Sequence, residues 1–211
     1  MVRTRRLLEA AVALFFLIPL GISAQAPKGP LARFTPEQQK ILLAGEPVFE
    51  YKKTAGTSDQ GQGQAMIVIN AGADECFKIF RRLDEQREYF PRKTRSEAIK
   101  EEGGRVWLRN EFDFYVAKVE YTSVYTIDPA ARRFDFEMDK SYPHSINESA
   151  GYFLFEPIDA THTLFTYAAT RLDTGAKVPA FVQQYITSRD LPAQAVNVKK
   201  RIESGGKWKD K

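Results

Sequence analysis

Hydrophobic positions follow a helical period over residues 177–202, where Val178, Phe181, Val182, Tyr185 and Ile186 form one apolar stripe. The stripe then changes phase. Leu191, Ala195, Val198 and Ile202 repeat at helical spacing again, but five residues separate Ile186 from Leu191, and Pro192 follows the break. Proline has no N–H to offer the Ser188 carbonyl, so the pattern predicts one long helix with a kink or bulge near its middle.

Upstream the period is two. Val106, Leu108, Phe112 and Phe114 alternate with Trp107, Arg109, Glu111 and Asp113, which predicts a half-buried strand with Asn110 as the one polar residue on its apolar face. The alternation resumes through Val119, Tyr121, Tyr125 and Ile127, and again through Phe134, Phe136 and Met138. Two further strands fall at 149–156 and 163–171. Gly103-Gly104, Asp128-Pro129 and the segment after Pro157 supply the turns, so residues 94–171 read as an antiparallel meander.

Earlier still, Met66-Ile67-Val68-Ile69 is a compact apolar strand. It leads into a helix with Asp74 and Glu75 in its first turn and Cys76, Ile79, Phe80 and Leu83 facing inward. Thr35-Pro36-Glu37-Gln38 is a capping box that opens a short helix ended by Gly45. A short strand at 48–52 and a loop over 55–64 follow. A long apolar-striped helix needs a partner surface, and most of the chain is strand. The expected fold is therefore α+β, a curved antiparallel sheet wrapped around the C-terminal helix.

With 211 residues and 43% hydrophobic content, one core is expected. Residues 1–26 read as a secretory leader: Arg3, Arg5 and Arg6 precede an apolar run over 10–22, and Ser23, Ala24 and Ala26 are small. That predicts a periplasmic or secreted protein, with an uncleaved membrane anchor as the alternative; the run is short for a span. Residues 27–60 form an extension, 61–204 the main domain and 205–211 a basic tail. The leader's three arginines and one glutamate account for +2 of the +4 net charge, which leaves +2 and gives no reason to expect nucleic acid. Lys199, Lys200, Arg201 and the tail, with Trp208 among them, suit a solvated helix end or a contact with anionic lipid. Cys76 stands alone, which excludes an intrachain disulfide and cysteine-rich metal sites.

The chain holds no H-x-x-x-H pair, no glycine-rich phosphate loop and no G-x-S-x-G. His162 lies in a turn and His144 in a loop. Arg189, eleven residues after Val178, is in register with the apolar stripe. There a guanidinium needs a ligand headgroup or a strand carboxylate, unless the kink turns it to solvent. Phe112, Phe114, Phe136, Phe153, Phe165, Tyr167, Phe181 and Tyr185 either fill a core or line a space.

Residues 63–204 resemble the START-like (SRPBCC, helix-grip) superfamily, close to its coenzyme Q-binding and polyketide cyclase/dehydrase branch. The resemblance rests on Ala65-Met66-Ile67-Val68-Ile69-Asn70-Ala71 leading into Asp74-Glu75-Cys76-Phe77, then Leu83-Asp84, Phe90-Pro91, Val178-Pro179-Ala180-Phe181-Val182 and Leu191-Pro192. It implies an apolar cavity between sheet and helix that binds a hydrophobic small molecule such as a quinone, another isoprenoid or a lipid, with no cofactor. The ligand-binding candidates are then Asn110, Phe112, Phe114, Phe136, Tyr167, Phe181, Tyr185 and Arg189. Two alternatives stay open: a cyclase or hydrolase using a cavity Asp, Glu or His144, and an envelope interaction module whose aromatics fill the space themselves.

Overall fold

The computed structural model describes residues 29–53, 61–175 and 179–210. The leader, Val178 and most of the predicted 55–64 loop lie outside them. A 3-10 turn, Gly29–Arg33, precedes helix α1, Pro36–Leu43. Both halves of the capping box are made: Gln38 N–H donates to Thr35 Oγ1 at 3.3 Å, and Thr35 N–H donates to the Gln38 side chain at 3.0 Å.

Eight strands form one antiparallel sheet: β1 (Val48–Lys53), β2 (Gly61–Ile69), β3 (Lys93–Glu102), β4 (Arg105–Asp113), β5 (Lys118–Asp128), β6 (Arg133–Met138), β7 (Glu148–Pro157) and β8 (Thr163–Asp173). Their spatial order is β1-β2-β8-β7-β6-β5-β4-β3. Residues 61–64 belong to β2 rather than to a loop, because Gly61 to Gln64 pair with Lys53 to Glu50 in a hairpin. Helix α2 (Ala73–Phe80) and a 3-10 segment, Leu83–Glu88, lie between β2 and β3.

The apolar run in β2 is continuous because both of its faces are covered. Ala65, Ile67 and Ile69 join the main core with Leu191, Ala195, Val198 and Ile202. Met66 and Val68 face the other way, against Leu31, Phe34, Leu42 and Val48 of the N-terminal extension. In β7 the inward set is Phe153 and Phe155, which contact Phe80, Phe134 and Phe165 in a dense aromatic cluster. Gly151 is required by its neighbours: a Cβ there would lie 2.0 Å from the Ala168 carbonyl oxygen and 2.7 Å from Phe136 Cζ.

The C-terminal helix has the predicted break. Helix α3 (Ala180–Tyr185) passes into a π turn, Ile186–Asp190, and then into α4 (Leu191–Glu203). Leu191 N–H bonds the Ile186 carbonyl five residues back, so one extra residue is wound into the helix. Among the described residues no helix is long and apolar enough to cross a membrane.

The tail is not a freely solvated end. Arg201 is buried, with Nη2 at 2.6 Å from Glu85 and 3.0 Å from Glu88 and Nη1 donating to the Trp208 carbonyl at 2.8 Å. Asp210 N–H bonds the Glu88 carbonyl, so residues 204–210 fold back along α4.

Candidate functional site

Sheet curvature leaves a cavity against one side of the C-terminal helix. Phe112 and Phe114 enter it from the end of β4, Val119 and Tyr121 from β5, Phe136 from β6, and Tyr167 and Ala169 from β8. Ile186, Asp190, Leu191 and Gln194 face it from the helix. The empty space is ≈ 600 Å³ including the open mouth, of which ≈ 50 Å³ admits the centre of a water-sized sphere. That inner figure corresponds to about four waters at ~10–15 Å³ each.

Four predicted ligand contacts, Phe112, Phe114, Phe136 and Tyr167, stand in this wall. Four do not. Asn110 is buried on the inner face of β4, but its amide donates to the Leu108 carbonyl at 3.0 Å and to Ser123 Oγ at 3.2 Å. Phe181 and Tyr185 are 59% and 40% exposed, because the buried face of α3 runs through Val182 instead. Arg189 is exposed: the residue added by the π turn rotates it to solvent and puts Asp190 in the inward place.

Asp190 is the acid that sequence reasoning missed. It is 4% exposed, and burial pushes its carboxyl up to about 6 against the downward pull of Arg92. Arg92 Nε lies 3.3 Å from Asp190 Oδ2. The same guanidinium hydrogen-bonds the Tyr185 hydroxyl and lies 4.4 Å from the centre of the Tyr185 ring and 5.8 Å from that of Phe114. Arg92 thus clasps the helix to the β4–β5 hairpin, from a backbone held at φ 60°. One turn beyond Asp190, Gln194 is buried and its Oε1 has no hydrogen-bond partner. On the sheet side desolvation raises the Tyr121 and Tyr167 phenols above their ordinary range, so both are neutral. The only advance signal for Asp190 and Gln194 was the five-residue gap between Ile186 and Leu191.

Other candidates stand apart from the cavity. His144 is exposed, with Nδ1 at 2.9 Å from the Tyr142 carbonyl, and His162 sits in a turn beside Asp159. Cys76 is fully buried, and desolvation raises its thiol to about 11, as suits a core residue. Among the described residues no three His, Cys, Asp or Glu side chains gather as metal ligands.

No family model and no curated protein matches the sequence. Solved structures do match the fold. A STAR-related lipid transfer protein from Xanthomonas axonopodis superposes with TM-score 0.60 at 14% identity, covering 74% of this chain and 93% of that one. The Zhui aromatase/cyclase from Streptomyces sp. R1128 gives 0.57 at 18% identity, covering 68% and 94%. A START superfamily protein from Mycobacterium smegmatis gives 0.57 at 13% identity, covering 68% and 97%. The fold is the START-like helix grip.

Proposed function

We propose that the chain is an exported carrier of a hydrophobic small molecule, held between the sheet and the C-terminal helix. The observation that supports this reading is the wall itself: Phe112, Phe114, Val119, Phe136, Ile186 and Leu191 give the opening a mostly apolar lining, with polar side chains from both the sheet (Tyr121, Ser149, Arg171) and the helix (Asp190, Gln194). Burial of ligand carbon would supply affinity at roughly 25 cal/mol per Å² before ordering costs. The lipid transfer protein among the fold's relatives points the same way. Export is inferred from the sequence of residues 1–26.

The test is mass spectrometry of a solvent extract from protein purified gently from the periplasm of a Gram-negative host. A stoichiometric quinone, isoprenoid or other lipid that is lost in Ile186→Trp, which fills the cavity from the helix, supports the carrier. An empty extract with no thermal stabilisation by a lipid panel transfers support to an interaction module.

A second reading has its own observation. A cavity carboxyl near pH 6 beside neutral phenols is equipped for proton transfer, and an aromatase/cyclase shares the fold. Asp190→Asn would then abolish turnover of a bound substrate while leaving its binding intact.

A further inference from the structure

We infer that the molecule carried in this cavity presents a hydroxyl, as an alcohol or phenol, to Asp190 and Gln194. The inference rests on the carrier reading and specifies the headgroup it would take.

Asp190 and Gln194 are four residues apart across the junction of the π turn and α4, so their side chains share one face. Both line the cavity and both are more than nine-tenths buried. Gln194 Oε1 is an acceptor with no donor, and a buried acceptor in that state is unfavourable until something donates to it. The Asp190 carboxylate has several lone-pair sites, and its contact with Arg92 engages Oδ2 through Nε at 3.3 Å. The helix side of the cavity therefore has acceptor capacity to spare. Tyr121, Ser149 and Arg171 line the cavity from the sheet, and none of them hydrogen-bonds Gln194 Oε1.

This imbalance discriminates among apolar molecules of similar size. A hydroxyl donates to either acceptor without bringing charge. An ether or an oxidised quinone offers only acceptors and leaves Gln194 Oε1 unpaired. A fatty-acid carboxylate adds a negative charge beside Asp190. A site with unsatisfied acceptors rejects ligands that lack the donor more strongly than it rejects small changes in apolar shape.

The experiment is calorimetric titration of the full chain with decanol, decyl methyl ether and decanoate, repeated with Gln194→Leu and Gln194→Glu. Decanol is expected to bind about tenfold more tightly than the ether, as one buried hydrogen bond would give, with decanoate weaker than decanol. Gln194→Leu should remove most of that preference, and Gln194→Glu, which keeps an acceptor, should retain it. Equal binding of alcohol and ether overturns the assignment while leaving the carrier reading in place, and so does decanoate as the tightest of the three. Failure of all three to bind overturns both. The wild-type ratio alone decides the matter if either variant does not fold.

Discussion

Lys93 is the most exacting test of how the inner face of the sheet is built. It is 5% exposed at the start of β3, with Nζ donating to Gln86 Oε1 at 2.6 Å and lying 5.1 Å and 5.5 Å from the rings of Phe90 and Phe112. No carboxylate pairs with it among the described residues, and desolvation lowers the ammonium from 10.5 to about 7. Because the folded pKa is depressed, the group's contribution to stability is fully present above pH 10.5 and is lost as pH falls through 7. At pH 7 the unfolded amine is charged and the folded one half so, which costs about 4 kcal/mol; at pH 9 the same linkage costs about 2 kcal/mol. Lys93→Met keeps an unbranched chain between the two rings and removes the titration, while the Gln86 hydrogen bond is lost equally at both pH values. Urea unfolding of both proteins at pH 7 and pH 9 should therefore show the stability of the variant relative to the parent falling by about 2 kcal/mol as pH rises. Other titrating groups cancel in that comparison. A difference that stays constant between the two pH values would refute the reasoning and mean that the amine is solvated in the folded protein.

Three further outcomes are expected. Gly151→Ala should lose about 3 kcal/mol or more in urea unfolding, because the Ala168 backbone cannot retreat from the new Cβ without breaking the β7–β8 ladder. Arg201→Met should destabilise by about 2 kcal/mol through loss of its charged hydrogen bonds to Glu85, Glu88 and the Trp208 carbonyl, and tryptophan emission should shift to the red as Trp208 loosens. Thr35→Ala should cost about 1 kcal/mol in thermal unfolding through loss of the α1 cap, with ligand binding unchanged.

The elements that sequence pattern exposed are those whose period survives in one dimension. The β4–β8 meander, the Thr35 cap and the inward set Leu191, Ala195, Val198 and Ile202 were all legible, and so was the irregularity ahead of Pro192. Its effect was not: extrapolating the stripe of α3 through a π turn assigns Arg189 to the place that Asp190 holds. Phe181 and Tyr185 misled for a related reason, since an apolar residue at helical spacing is inward only where a wall stands opposite. Lys93 and Arg201 look solvated in sequence, because a charged side chain is buried only by partners that tertiary structure supplies. Gln86 and the pair Glu85 and Glu88 come from the segment between α2 and β3. The Asn110 side chain was placed on the correct face of its strand, but its amide N–H groups are spent on the neighbouring Leu108 carbonyl and Ser123 hydroxyl, and the residue does not stand in the cavity wall.

The order of the sheet also governs when the chain can fold. Strands β3 to β8 pair with their sequence neighbours and can zip as successive hairpins, whereas Ile67 of β2 finds its partner in Phe165 of β8. Until that last strand has been synthesised, Ala65, Ile67 and Ile69 have neither the rest of the sheet nor the C-terminal helix to cover them, and the β8-facing edge of β2 remains open to other chains. A chain interrupted before residue 163 is therefore a species prone to aggregate. Refolding of the whole protein should be limited by closure of this one long-range pairing, with the meander already formed when it occurs.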